Sequence, residues 1–321
     1  MIILMNGNSP FWDAVGVGMA DEAKALGVNA TLETNDGTPQ GQINKLRQFR
    51  SQSGILAVAL SATDAANAAI ADEMRKLQEQ GVYVITVDSD LDRTRFRDAR
   101  FAFIGTDNFD GGRQLGTAVR NLKPEGGVCA TFVGRTGAQN AIERIGGFRQ
   151  GAGEKFKQLE PAGDENDRTR ARQNVRSAIK NHPDLDVLVG IWSYNAPAIV
   201  DIVREMNNRN RFTIATFDAE PLAVEQMAAG DIDVMVVQNP FKMGYHAVRL
   251  MKALVDDDQA VIKEMFPNLD KEDGDLFSTG LKVVVPDEQS PLKAEMFGES
   301  TEFFTLEAFK AWMAKYGLKG S

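Results

Sequence analysis

The sequence predicts an α/β protein made of two lobes, each a parallel sheet flanked by helices. Three observations lead there. The chain has 321 residues, more than a single hydrophobic core usually serves. Short runs rich in Ile and Val alternate with longer segments of helical period, which is the signature of βα units. That alternation restarts near residue 101, giving two comparable halves of domain size.

In the first half "IILMN" leads to a helix over Trp12–Leu26, "VNATLE" to Gly41–Ser51, "ILAVAL" to Asp64–Gln80, and "VYVITV" follows. These runs are apolar throughout, as parallel strands buried on both faces are. In the second half "FAFIGT" leads to Phe109–Leu122, "GVCATFVG" to Ala138–Phe156, "VLVGIW" to Asn195–Met206, "FTIATF" to Leu222–Ala229 and "DVMVVQ" to Lys242–Val255. Asp256–Asp275, with "DDD" and "LDKEDGD", reads as a solvated loop before the strand "LKVVVP" and an amphipathic stretch, Thr305–Tyr316. Crossings between lobes are expected in short segments such as "GTDN" at 105–108 and "VQNP" at 237–240. The expected division is 1–106 plus 239–275 as an N-terminal lobe, 107–238 plus 276–290 as a C-terminal lobe, and 291–321 as a C-terminal extension.

Composition narrows the function. With 43% hydrophobic and 25% charged residues the chain can bury a real core. Lys+Arg 36 against Asp+Glu 45 leaves a net charge of −9, which argues against nucleic acid or an anionic membrane as partner. Cys129 is the sole cysteine, so no intrachain disulfide forms, and its apolar setting reads as a buried strand. No run of roughly 18 apolar residues is present to span a membrane. The opening "MIILMNGN" lacks the features of a signal peptide, so the protein is expected to be cytosolic or to have had a leader removed.

Most catalytic chemistries are disfavoured. The two histidines, His182 and His246, have no metal-ligand spacing to each other or to Cys129. "GVGMAD" at 16–21 lies inside the first helix and lacks the third glycine of a dinucleotide motif, so it reads as close helix packing. "GRTGAQN" at 134–140 lacks the lysine of a phosphate loop. No cofactor or metal is implied. Asp88 and Asp90 are spaced so that a pair of glycosidase acids remains an alternative.

In open α/β sheets the ligand lies beyond the carboxyl ends of the strands. The segments at those ends are Asn8 through Trp12, Ser61 through Asp64, Asp88-Ser89-Asp90, Thr106-Asp107-Asn108, Arg135 through Arg144 (with Asn140), Trp192 through Asn195, Asp218-Ala219-Glu220 and Gln238-Asn239. Aromatic faces, carboxylates, amides and a guanidinium suit a small polyol: rings stack on C–H faces, and the planar polar groups meet neighbouring hydroxyls. Each residue also has a plainer role. Phe11 and Trp12 would serve as a hydrophobic staple or core, Asp88, Asp107 and Asp218 as turn or cap residues, Arg144 as a solvated helix residue, and Gln238 as a strand terminator.

An ordered series of motifs then carries a resemblance. "NSPFWDAVGVGMADEAKALG", "VYVITVDSD", "FIGTDNFDGGRQLG", "NAIERIGGFRQG", "TFDAEP" and "VVQNPFKMGYHAV" together resemble type I periplasmic solute-binding proteins of the ribose/galactose group, over residue 1 to about 285. The resemblance implies the type I periplasmic-binding-protein fold, two Rossmann-like lobes with hinge crossovers that close on one monosaccharide. It further implies a non-enzymatic, monomeric protein, periplasmic or otherwise extracytoplasmic, that delivers a sugar to the membrane permease of an ABC transporter. It implies ligand-binding roles for Phe11 and Trp12 as ring-sandwiching aromatics, Asp88 as a hydroxyl-binding carboxylate, Arg144 as the sugar-binding guanidinium, and Asp218 and Gln238 as hydroxyl partners. Asn140 heads its motif, and Trp192 or Asn195 takes the place of a polar or stacking contact.

Two departures bear on the ligand. Ser9 stands where ribose binders of this group usually have Asn, and Asp88-Ser89 followed by Asp90 stands where they have Asp-Arg. Another pentose, a ketohexose or a sugar alcohol is therefore expected in place of ribose. The alternatives are a regulator's sugar-sensing domain, for which no N-terminal basic helix-turn-helix is present, or a carbohydrate-active enzyme.

Overall fold

The computed structural model describes residues 1–7, 9, 11–298 and 301–320. In chain order its elements are β1 (Ile2–Leu4), α1 (Phe11–Leu26), β2 (Thr31–Glu33), α2 (Pro39–Ser51), β3 (Ala57–Leu60), α3 (Ala68–Glu79), β4 (Tyr83–Val87), α4 (Arg93–Phe96) and β5 (Phe103–Gly105). There follow α5 (Asn108–Leu122), β6 (Gly127–Val133), α6 (Gln139–Ala152), β7 (Phe156–Gln158), β8 (Ala162–Gly163), α7 (Arg168–Asn181), β9 (Leu185–Gly190), α8 (Asn195–Glu205), β10 (Thr213–Phe217), α9 (Pro221–Ala228) and β11 (Val234–Val237). The chain ends with α10 (Pro240–Asp256), α11 (Gln259–Met265), β12 (Leu276–Ser278), β13 (Leu281–Val285), β14 (Thr301–Thr305) and α12 (Leu306–Lys315).

These elements form two compact units, residues 1–106, 137–140 and 239–279, and residues 107–136, 141–238 and 280–321. The first unit holds a six-stranded sheet in the order β12-β5-β4-β3-β1-β2, all parallel. Its central strands β1 and β3 are apolar and buried at every position because both faces are covered. Ile3, Ala57 and Ala59 pack with α1 and α10 on one side, while Leu4, Val58 and Leu60 pack with α2 and α3 on the other, as the two-residue period of a strand requires. The expectation for "GVGMAD" is met: a Cβ on Gly18 would lie 1.9 Å from the Phe241 carbonyl oxygen, so only glycine lets α1 approach α10 this closely.

The second unit's eight-stranded sheet runs β14-β13-β11-β10-β9-β6-β7, with β8 also beside β6. Its single antiparallel pair among the described residues is β11 with β13. The helices start where local chemistry favours it. Asp107 caps α5 by accepting from the Asp110 N–H, Asn239 caps α10 through the Lys242 N–H with Pro240 at the first turn, and Pro221 opens α9.

Several expectations are corrected. Gly153, at φ +80°, ends α6 at Ala152, and Phe156 begins a strand instead of closing that helix. The polar segment 168–181, for which the sequence reading gives no element, is a full helix, α7, and the stretch expected as a loop contains α11, capped by Asp258. The boundary placed at 275 falls at 279, since β12 joins the first sheet beside β5. Residues 291–321 are part of the second unit: β14 pairs with β13, and Leu306, Phe309 and Met313 join its apolar core.

Candidate functional site

Each unit presents a buried carboxylate at the same structural place, the residue directly after a central strand. Asp88 follows β4 and Asp218 follows β10, and each has a left-handed backbone at φ 64°, a conformation that Asp adopts more readily than most residues. The Asp88 N–H donates to the Ile104 carbonyl of the next strand at 3.1 Å, and the Asp218 N–H donates to that of Val236 at 2.8 Å. The turn thus keeps a sheet bond while redirecting its side chain.

In the first unit one Asp88 oxygen accepts from Ser61 Oγ at 2.9 Å and from Asn6 Nδ2 at 3.3 Å. Gln42, fully buried, orders that neighbourhood by donating to the Ser61 carbonyl and accepting from Thr63. The Ser89 and Thr106 hydroxyls, at the ends of β4 and β5, are buried with no hydrogen-bond partner among the described residues. Phe11 and Trp12 are buried edge to face, their rings 5.4 Å apart, within the unit's apolar cluster beside Val15 and Met243. Ser9 is half-buried, and its carbonyl accepts from the Trp12 N–H at 3.0 Å, starting α1. Asn8 and Pro10 of that loop lie outside the described residues. Asn140 is buried and groups with this unit.

In the second unit Arg144, Asp218 and Gln238 come together. Arg144 is 1% exposed. Its Nε donates to Asn108 Oδ1 at 2.9 Å, its Nη1 donates to the Ile191 carbonyl at 3.0 Å and lies 3.7 Å from Asp218 Oδ2, and its guanidinium sits 4.5 Å from the centre of the Phe217 ring. Gln238 Nε2 donates to Asp218 Oδ1 at 2.8 Å. Burial pushes the Asp218 carboxyl above the usual carboxylate range, against the opposing pull of Arg144 and Gln238. Two polar atoms of this group, Arg144 Nη2 and Gln238 Oε1, are buried with no partner among the described residues. Such atoms are costly to leave unmet, and here a donor and an acceptor accompany one carboxylate.

Two expected ligand residues have other employment. Asp90 accepts from Arg100 Nε at 2.9 Å, Thr86 Oγ1 at 2.7 Å and the Leu91 N–H at 2.8 Å, and its other oxygen pairs with Arg100 Nη2. It is a structural anion, and Asp88 and Asp90 are not a free acid pair. Asn195 is fully buried, accepting from the Trp192 N–H and donating to Asp164, both at 3.0 Å. It shapes the turn before α8. Trp192 is half-buried, with its ring over Gly134, where a Cβ would lie 2.1 Å from the ring. The reading of the sequence did not name Asn6 and gave Asn108 only within a strand-end segment, yet they bond to Asp88 and Arg144 respectively. Both stand near strand ends, the same signal that marked the others.

A two-unit α/β protein with buried, partly unmatched polar groups at its strand ends is the architecture of a small-molecule receptor. The family model described as "Periplasmic binding protein domain" matches residues 1–259, and the chain belongs to that family. It is 24% identical over 266 residues to the D-allose-binding periplasmic protein of Escherichia coli (strain K12), covering 78% of this chain and 82% of that protein. Its fold is similar to the solute-binding protein of Burkholderia graminis C4D1M solved in complex with D-arabinose, with TM-score 0.79, 22% identity and 91% and 96% of the two chains covered. It is also similar to the periplasmic component of an ABC-type sugar transport system from Hahella chejuensis, with TM-score 0.76, 25% identity and 88% and 98% covered. The fold is that of the type I periplasmic binding proteins.

Proposed function

We propose that the protein is a non-enzymatic, extracytoplasmic receptor that captures a monosaccharide or related polyol and delivers it to the membrane permease of an ABC transporter. The observation that carries this reading is the buried set of Arg144 Nη2, Gln238 Oε1 and Asp218, with a donor and an acceptor that no group among the described residues satisfies. Vicinal hydroxyls, each both donor and acceptor, match such a set. A phosphate ester or carboxylate does not, because it offers no donor for Gln238 Oε1. In the first unit Asp88, the strand-end carboxylate, is the corresponding hydroxyl-binding group of this reading. The E. coli relative's name points the same way, to an aldohexose. The protein acts as a monomer.

The test is a thermal-shift screen against D-allose, D-arabinose, other pentoses and hexoses, ketoses, deoxy sugars and polyols. A ligand that binds only the native state raises the melting temperature, by about 2.7 kcal/mol of stabilisation at a hundred times Kd. A rise of several degrees for one or two sugars is expected. No rise for any of them in folded, ligand-free protein would overturn the reading.

A further inference from the structure

Beneath the first unit's carboxylate runs a buried chain of charges. Asp90, two residues after Asp88, is held bidentately by Arg100, and Arg100 reaches on through Nη1 to Asp275. All three are at most 5% exposed. Asp275 is itself fixed by Arg93 Nη2 and Arg97 Nε, both at 2.8 Å, and its carbonyl accepts from the Phe103 N–H at 2.9 Å as β12 joins the sheet.

We propose that Arg100 is a positioning residue for ligand binding: by tying Asp90 to Asp275 it fixes the loop 88–90 against the last strand of its unit and so aims Asp88. The proposal rests on the reading of Asp88 as a sugar-binding group. Asp88 holds a left-handed backbone, and the loop turns so tightly that the Ser89 N–H donates to the Val87 carbonyl at 2.7 Å. Short of an anchor, such a turn has neighbouring conformations that carry the carboxylate elsewhere. Asp90 supplies the anchor, reaching back to Thr86 on its own strand while Arg100 holds it from the side. A buried ionic cluster is a weak source of net stability compared with apolar packing of the same volume, so stability alone does not account for it. Holding a binding group within a fraction of an ångström does. β12 ends just before Thr279, whose N–H and hydroxyl both donate to the Gly105 carbonyl before the chain leaves the unit. Through Asp275, the binding loop is thus tied to a strand that ends at a crossing.

Arg100→Lys keeps the charge but loses the planar fork, and Asp275→Asn leaves Asp90 and Arg100 paired while loosening the far anchor. Glu73→Gln is the control, a buried carboxylate of the same unit held by Arg47, Arg50 and Lys76 on α2 and α3. Each is titrated calorimetrically with D-allose and with D-arabinose, well below its melting temperature. The expected result is a loss of affinity of about tenfold or more for Arg100→Lys, a smaller loss for Asp275→Asn, and unaltered affinity for Glu73→Gln despite a lowered melting temperature. Wild-type affinity in folded Arg100→Lys would overturn the proposal. If that variant does not fold, Asp275→Asn decides alone, with wild-type affinity again the overturning result. Failure of the unaltered protein to bind any sugar of the screen overturns the sugar reading and the positioning role with it, a result distinct from wild-type affinity in the variants.

Discussion

Asp88 and Asp218 share a backbone conformation and a place in their sheets, yet their surroundings differ in kind. Asp88 is met by the neutral donors of Ser61 and Asn6, whereas Asp218 faces the Arg144 guanidinium and the Gln238 amide. A neutral hydrogen bond can be exchanged for another at modest cost, while a buried ion pair that loses one member leaves a charge without compensation. The same turn therefore gives the first unit a carboxylate that is replaceable in the fold, and the second unit one that is bound up with stability.

The sharpest break of that contrast is Arg144→Ala. It strands Asp218, removes the bonds to Asn108 and the Ile191 carbonyl, and uncovers the Phe217 ring. A loss of about 3–5 kcal/mol is expected, seen as a fall in the urea midpoint reported by Trp312 in the second unit, together with loss of sugar binding. Wild-type stability in this variant would mean that Asp218 is not held by the ion pair.

Acid should separate the units next. In the first, burial pushes the His246 imidazole down to about 4, with Arg249 and Lys242 adding to the effect. Burial of Glu73 works to raise its carboxyl, but Lys76, Arg50 and Arg47 outweigh that and hold it at about 2. Both folded values lie below the unfolded ones, so the unfolded chain binds more protons. Stability from His246 is present above about 6.5 and is lost as pH falls through about 4. That from Glu73 is present above 4.5 and is lost as pH falls through about 2. In the second unit burial raises Asp218 and Asp164, so their contribution is present below the ordinary carboxylate value and declines as pH rises through their folded values. Fluorescence of Trp12, isolated by Trp192→Phe and Trp312→Phe, should therefore report unfolding at a higher pH than Trp312 does, and His246→Phe should move the Trp12 transition to lower pH. Coincident transitions, unmoved by His246→Phe, would refute the opposed linkage.

What was legible in the sequence follows from the range of the interaction that decides each feature. The sheets were legible because strands buried on two faces need apolar runs, and Asp88, Asp218 and Gln238 could be placed directly after strands because strand ends can be read along the chain. Asp90 misled because its partner Arg100 lies beyond the strand end, 10 residues on, and is itself held by Asp275, a further 175 residues away, and nothing local shows that the carboxylate is already paired. Asn195 misled for the same reason, since Asp164 reaches it from another loop. Helix α7 escaped because only Ala171, Val175 and Ile179 of its 14 residues are buried, a stripe too narrow to stand out among its arginines. Phe11 and Trp12 show the limit from the other side: their place in the apolar cluster fits the plainer role, and a role at the ligand rests on the family resemblance.

The smallest expected effect on the fold is that of Asp88→Asn, and it tests the comparison from the permissive side. Asparagine also tolerates a left-handed backbone, so the turn at φ 64° carries no new strain. Its carbonyl oxygen can still accept from Ser61 Oγ and Asn6 Nδ2 in place of the carboxylate oxygen. Exchanging a charged acceptor for a neutral one should cost about 1 kcal/mol, visible as a slight fall in the urea midpoint of the first unit. Sugar affinity should fall more than stability, by about tenfold, because a carboxylate that accepts from a hydroxyl has become partly a donor. Asp218→Asn, which leaves the buried Arg144 without its counter-charge, should cost more in stability by the same measurement. Equal stability losses in the two variants would show that the neutral and the ionic surroundings are energetically alike. Undiminished sugar binding by Asp88→Asn would remove Asp88 from the binding residues and leave the reading of Arg144, Asp218 and Gln238 untouched.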